Sequence, residues 1–258
     1  MVITSPKNSL LHAVRRAASR GVPGEEGWVV AEGPHLLEEA LRGTWPIRRI
    51  IATPSASEKW AALINRSQAP ITVVTDHAFA ATATTETAQG ILLLLDPPVW
   101  QWRDLLGGES LVLVLDELRD PGNVGAIIRS GEAFGASGVV LSKGSVQIAN
   151  GKLIRAAAGS LFRVPVLGTV PLPIALAELG EAGFAIYGLA AVARQSIATA
   201  DLRRPCAIFV GNEGGGLSAP VLTAAQLLSI PTCGVESLNA AIACSIALFE
   251  ARRQRGLA

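Results

Sequence analysis

Three glycine-containing turns along the chain carry polar side chains where an apolar run gives way to a helical pattern. They span residues 120–129, 208–217 and 230–239. In an open α/β sheet, the turns that follow the carboxyl ends of the strands build the ligand site. The three turns therefore predict a single site assembled from residues that are far apart in sequence.

The turn at 208–217 restricts the chemistry of the ligand. Its glycines surround Glu213, whose carboxylate would repel a phosphate. The chain contains no Gly-x-x-x-x-Gly-Lys-Ser/Thr loop, and no Gly-x-Gly-x-x-Gly follows a strand. These features favour a cationic ligand, or one bound mainly by backbone groups, over a nucleoside triphosphate or a dinucleotide. The alternative is a plain strand-to-helix turn in which glycine supplies a positive φ.

The other two turns each offer a side chain that could cap a helix. Asn123 is predicted to cap a helix that continues to Phe134, with Arg129 six residues further along. Ser237 or Asn239 is predicted to cap the last helix. Capping and a surface arginine would explain each turn alone, but the occurrence of all three on adjoining strand ends favours a functional site.

Composition narrows the class of protein. The 258 residues carry a net charge of only +1, and half of them are hydrophobic. The longest apolar stretch, 240–249, is interrupted by Ser245 and is far shorter than the roughly 20 residues of a membrane span. No signal peptide is evident, so we expect a cytoplasmic protein. The three cysteines have no Cys-x-x-Cys spacing, which predicts neither a zinc site nor a disulfide framework.

Strands and helices alternate along the chain, which predicts an α/β fold. Pro-Pro and Gly-Gly pairs mark residues 98–108 as a linker between a first domain at 1–97 and a second at 109–258. The first is predicted to be a small α/β layer with a helix at 57–64. The second is predicted to be a mostly parallel sheet with helices on both faces. Its strands are expected at 111–115, 138–141, 163–166, 185–189, 206–210 and 227–230.

The three turns also carry a family resemblance. Asp-Pro-Gly-Asn-Val-Gly at 120–125 with Arg129, Val-Gly-Asn-Glu at 210–213, and Ile-Pro-x-x-Gly-x-x-Ser-Leu-Asn at 230–239 resemble the signature motifs of the SpoU branch of the SPOUT methyltransferases. Members of this branch are RNA 2′-O-ribose methyltransferases that use S-adenosylmethionine. Residues 154–165 resemble the family's linking segment. The N-terminal segment resembles more loosely its substrate-binding domain, a ribosomal-protein-like α/β/α fold.

The resemblance implies a fold, a cofactor and a set of roles. It implies a trefoil-knot domain, a homodimer whose active site is completed across the interface, and no metal. It implies that Gly211, Ile230, Leu238 and Asn239 contact S-adenosylmethionine. The catalytic positions it implies are Arg129, Asn123, Glu213, Ser237 and Asn239. Arginine is a poor general base because its guanidinium holds its proton tightly, so Arg129 is expected to orient the hydroxyl or bind the adjacent phosphate.

Alternatives to this reading remain open at the level of sequence. Ribosomal RNA is the favoured substrate, and transfer RNA is the alternative for the same chemistry. A non-catalytic RNA-binding or ribosome-assembly protein could share the scaffold, although no polar signature residue is missing. The chain departs from the family at Gly131, Thr232 and Ala240, which are changes of side-chain size at wall positions. A housekeeping enzyme and an antibiotic-resistance methyltransferase are not distinguished.

Overall fold

The computed structural model describes residues 2–256, and its packing divides the chain into two compact units. The first unit comprises the chain up to Val99 together with Gln147–Arg163. The second comprises Trp100–Val146 and the chain from Val164 onward. Residues 147–163, which the predicted division assigns to the second domain, therefore pack with the first. The linker at 98–108 remains a prediction.

The first unit is a four-stranded sheet with surrounding helices. Its sheet has the order β1-β4-β2-β3, in which only the β2–β3 pair is parallel. Its elements are α1 (Ser9–Arg20), β1 (Val29–Glu32), α2 (Pro34–Ala40), β2 (Ile47–Ala52), α3 (Pro54–Lys59), α4 (Ala61–Ser67), β3 (Ile71–Val73), α5 (Asp76–Ala80), β4 (Ile91–Leu95) and, from the later segment, α8 (Gly151–Ala156).

The second unit is a seven-stranded sheet in which every pair of neighbours is parallel. Its strand order is β7-β6-β5-β10-β8-β11-β9. Its elements are α6 (Trp102–Leu105), β5 (Leu111–Asp116), α7 (Pro121–Phe134), β6 (Gly138–Ser142), β7 (Val166–Val170), α9 (Leu172–Glu181), β8 (Ala185–Leu189), β9 (Gln195–Ser196), β10 (Cys206–Gly211), α10 (Ala219–Ala224), β11 (Gln226–Ser229) and α11 (Ala240–Gln254).

Helices cover both faces of this sheet, which is why its central strands β5 and β10 are apolar at every position except Asp116, the last residue of β5. All six residues of β5 and the first five of β10 are buried. Val112 and Val114 belong to a core cluster that includes Ala175 and Leu179 of α9. On the other face, the backbone of α7 at Gly131 approaches the side chain of Leu113. Strands buried on both sides read as continuous apolar runs, and the α/β fold class is confirmed.

Two predicted elements differ from the observed ones. The helix expected at 57–64 is two helices that meet at Trp60, whose backbone leaves the helical region. The strand expected at 163–166 begins only at Val166, because residues 160–162 form a 3₁₀ turn and Pro165 has no N–H for a ladder.

The segment at 147–163 is anchored in the first unit by polar and aromatic contacts. The backbone N–H of Thr44 donates to the Phe162 carbonyl at 2.8 Å. The Trp45 and Phe162 ring centroids lie 5.2 Å apart. An Arg163 guanidinium nitrogen lies 2.7 Å from the Glu39 carboxylate. These contacts explain why residues 147–163 pack with the first unit rather than with the residues that flank them in sequence.

Two further expectations concern the membrane and the cysteines. Across residues 2–256, no helix is both long and apolar enough to traverse a bilayer. Cys206 and Cys244 are buried, as expected for core thiols, whereas Cys233 is exposed. Burial raises the pKa of Cys244 to about 12, so this thiol stays protonated at neutral pH.

Candidate functional site

A cavity of about 610 Å³ lies where strands β8, β10 and β11 end. Because these strands are parallel, their carboxyl ends share one edge of the sheet, and the turns that follow form the walls. The lining residues come from four stretches: 189–192, 210–217, 228–232 and 236–243, with Leu222 added from α10.

The glycine-rich loop after β10 forms one wall and folds back on itself. The Asn212 carboxamide oxygen accepts from the N–H groups of Gly214 and Gly215, at 3.1 and 2.6 Å. The backbones of Asn212 and Gly216 exchange hydrogen bonds of 3.1 and 2.9 Å. A Cβ added at Gly211 would lie 2.2 Å from the Gly216 carbonyl. Glycine is required at 211 because the end of the loop passes directly over its backbone.

A buried carboxylate fixes the far end of this loop. Asp116 is only 1% exposed, and its carboxylate accepts the N–H of Ser218 at 2.7 Å. Asp116 is also the register partner of Gly211 in the β5–β10 pair. Both ends of the loop are therefore held at the end of β5. The sequence motifs do not identify Asp116, although its position as the polar residue that ends a buried apolar strand is a usable signal.

The three turns meet in one hydrogen-bonded cluster. The Glu213 carboxylate accepts from the side-chain amides of Asn123 and Asn239, the latter at 3.1 Å. The Asn239 amide nitrogen also lies 3.0 Å from the Asn123 carboxamide oxygen. Three residues separated by up to 116 positions thus contact each other directly. We refer to Asn123, Glu213 and Asn239 as the amide–carboxylate cluster.

Helix capping differs from the prediction at one of its two positions. Asn239 caps α11, and its side-chain oxygen accepts from the N–H groups of Ala241 and Ile242. The predicted cap at Asn123 is wrong, because Asp120 caps α7 and accepts the Asn123 N–H at 2.7 Å. Pro121 occupies the first helical position, which places the cap at the residue before it. The Asn123 side chain is consequently available for Glu213.

The remaining predicted site residues fall into two groups. The cavity is lined by most of them: Gly211, Glu213, Ile230, Ser237, Leu238 and Asn239. Arg129 is different, because it is exposed on α7 and does not line the cavity. Several wall residues have no motif signal at all. Leu189 to Val192 line the cavity only because β8 lies beside β10 in the sheet.

An apolar groove of about 380 Å³ runs between α7 and α11. Phe134 of α7 and Phe249 of α11 contact each other edge to face, with ring centroids 6.1 Å apart. Beside them, the hydroxyls of Ser130 and Ser245 lie 2.8 Å apart. We refer to the surface lined by Ala126, Phe134, Ala241, Ile242, Ser245, Ile246 and Phe249 as the α7–α11 groove.

Comparison with known proteins identifies both halves of the chain. The profile of the SpoU rRNA methylase family matches residues 110–249, and that of the MRM3-like substrate-binding domain matches residues 11–93. The chain is 34% identical to an uncharacterized tRNA/rRNA methyltransferase from Synechocystis sp. PCC 6803, over 98% of this chain and 94% of that protein.

Two further relatives cover nearly the full length. The 23S rRNA (guanosine(2553)-2′-O)-methyltransferase RlmP of Bacillus subtilis is 32% identical, over 97% of this chain and 98% of that protein. The crystal structure of an AdoMet-bound rRNA methyltransferase from Sinorhizobium meliloti superposes with a TM-score of 0.86 at 28% identity, covering 98% of this chain and 97% of that one. These matches confirm the resemblance carried by the three motifs.

Replacement of Gly211 by alanine tests the packing of the glycine-rich loop. The added Cβ would collide with backbone that cannot rotate away, so we expect Gly211→Ala to lower the free energy of unfolding by about 1–3 kcal/mol. Because the loop walls the cavity, we also expect affinity for S-adenosylmethionine to fall about tenfold or more. Denaturant titration and calorimetric binding measure the two effects.

Gly180→Ala is the matched control for this substitution. Gly180 lies in α9, and a Cβ there meets nothing within 4 Å. We expect it to stabilise the protein by up to about 1 kcal/mol through helix propensity and to leave binding unchanged. Wild-type stability and affinity in the Gly211 variant would contradict the proposed packing.

Proposed function

Because the chain belongs to the SpoU rRNA methylase family, we propose that it methylates a ribose 2′-hydroxyl of ribosomal RNA with S-adenosylmethionine as donor. The observation that carries this proposal is the amide–carboxylate cluster, in which the three signature turns meet beside the cavity. The naming of RlmP as a 23S rRNA 2′-O-methyltransferase supports the substrate class. This substrate agrees with the cytoplasmic location expected from the sequence.

The residues of the cavity fit the proposed donor. The backbone at Gly216 lies close to Gly211, which has no side chain. This arrangement suits recognition of the donor by backbone groups. Apolar walls at Leu189, Leu228 and Ile230 suit a nucleoside base. Glu213 suits a cation rather than a phosphate. When bound, the donor supplies a methyl group on a sulfonium and leaves as a neutral thioether, so the transfer needs no metal.

The protein has two tasks in this reaction: to align the hydroxyl oxygen with the methyl group, and to accommodate the proton that the hydroxyl loses. We assign the first to the amide–carboxylate cluster, whose hydrogen bonds connect the three turns, and to Ser237, which lines the cavity. A guanidinium is a poor proton acceptor, so we do not assign proton removal to Arg129. We assign it to the RNA phosphate next to the target ribose, with proton loss to solvent.

We propose that a second copy of the chain covers the α7–α11 groove. Ile242, Ile246 and Phe249 recur along one face of α11 and remain 53%, 37% and 56% exposed. Exposed apolar stripes of this kind mark interaction surfaces. Arg129 lies on α7, the other helix of the groove, and outside the cavity of its own chain. A two-fold related copy would therefore supply the arginine that each cavity lacks.

Methylation of defined RNA tests the proposed function. We expect label from S-adenosylmethionine to enter unmodified large-subunit ribosomal RNA at one alkali-resistant position, and not small-subunit or transfer RNA. The same transcript with a 2′-deoxy nucleotide at that position should take up none. Label confined to transfer RNA would reject the substrate class, and donor binding without label in any pool would favour a non-catalytic RNA-binding role.

Arg129 variants test its assigned role. We expect Arg129→Ala to lower the rate of methyl transfer at least about a hundredfold, because the ribose is no longer oriented. Affinity for S-adenosylmethionine should stay within a few fold, since Arg129 does not line the cavity. Arg129→Lys keeps the charge and should recover part of the rate. Full turnover by the alanine variant would refute the role.

Charge placed in the α7–α11 groove tests the dimer. We expect the wild type to sediment with the mass of two chains and Ile246→Asp to sediment as a monomer with strongly reduced activity, because an aspartate cannot be buried unpaired. Ile174→Asp is the control, since Ile174 is an isoleucine on α9 that is 49% exposed, against 37% for Ile246. A monomeric wild type, or a dimeric Ile246→Asp protein, would rule out this interface.

A further inference from the structure

The side chains of one chain that line the cavity include negative charges and no positive charge. Two of its lining side chains are carboxylates, Glu213 and Glu236, and none is lysine, arginine or histidine. A cleft lined by one sign of charge focuses its field on the bound ligand. The cavity therefore discriminates among ligands by their net charge as well as by their shape.

The two carboxylates are engaged differently. Glu213 accepts hydrogen bonds from the neutral amides of Asn123 and Asn239, which commits its carboxylate to the cluster. Glu236 is exposed and makes no hydrogen bond or ion pair with any residue between 2 and 256. It lies next to Ser237 in the turn that leads into α11. The Glu236 charge is therefore available to a ligand.

The two small molecules that must occupy the cavity in turn differ by one charge. S-adenosylmethionine carries a sulfonium, an ammonium and a carboxylate, and thus one net positive charge. The thioether left after methyl transfer keeps the ammonium and the carboxylate and is neutral overall. The two are otherwise nearly identical in shape, so contacts with the base and the ribose cannot separate them.

We propose that Glu236 is a specificity-determining residue that makes the cavity prefer the cationic donor to its neutral product. This inference rests on the proposed function for the identity of the donor. It assigns Glu236 a role in binding selectivity and in product release, distinct from the positioning roles of the amide–carboxylate cluster. Attraction between Glu236 and the sulfonium favours binding of the donor. Methyl transfer removes the sulfonium charge, so the product is bound less tightly.

Calorimetric titration of the full-length protein with each compound, in the absence of RNA, tests the proposal. For Glu236→Gln we expect affinity for S-adenosylmethionine to fall about three- to tenfold, as for one partly screened charge. Affinity for the thioether product should change less than twofold. Raising the salt concentration from about 50 mM to about 500 mM should reduce the wild-type preference for the donor and leave the variant nearly unaffected.

Glu181→Gln is the matched control, because Glu181 is an exposed glutamate on α9 that does not line the cavity. It should leave both affinities unchanged. Equal losses for donor and product in Glu236→Gln, or no loss for either, would overturn the role of Glu236 while leaving the proposed function intact. A wild type that binds neither compound would overturn the proposed function, and this inference with it.

Discussion

The site depends on the hydrogen bonds that Glu213 accepts from Asn123 and Asn239. Each of these residues is fixed by its own secondary structure. Asn123 lies in the first turn of α7, Glu213 in the loop after β10, and Asn239 at the cap of α11. A single carboxylate therefore joins two helix starts to a strand end beside the cavity.

The sheet makes this convergence possible. β5 and β10 are adjacent and parallel, so the turns after them begin side by side although they are about ninety residues apart. Asp116 adds a second connection at the same level by accepting the Ser218 N–H. Loss of a buried hydrogen bond of this kind costs about 1–3 kcal/mol. The glycine-rich loop between these anchors is short and fixed at both ends, which lets its backbone define the cavity.

The sequence predicts local structure well because local chemistry determines it. Apolar runs locate β5 and β10, and the Ser-Leu-Asn turn locates the start of α11. The strand order is not predictable in this way, since β11 lies between β8 and β9 with no local signal for it. Two-residue strands such as β9 have too few side chains to form a pattern.

Two differences between the structure and the sequence-based expectations have equally specific causes. Asn is a residue type that often caps helices, but in α7 the cap is Asp120, the residue before Pro121. The Asn123 amide is therefore available to bind Glu213. The segment at 147–163 lies within the family's sequence region yet packs with the first unit, because Phe162 and Arg163 find their partners at Trp45 and Glu39. Long-range packing of this kind produces no periodic pattern in the sequence, so the sequence does not predict it.

Electrostatics favours the separation of Arg129 from the cavity of its own chain. Under the proposed roles, negative charge stabilises the cationic donor and positive charge stabilises the RNA phosphate. A guanidinium beside Glu213 and Glu236 would pair with them and remove the field that attracts the donor. Placement of Arg129 on α7, outside the cavity of its own chain, keeps the two charges apart. In the dimer proposed above, the partner's Arg129 would bind the RNA phosphate rather than these carboxylates, so assembly would be a condition for catalysis.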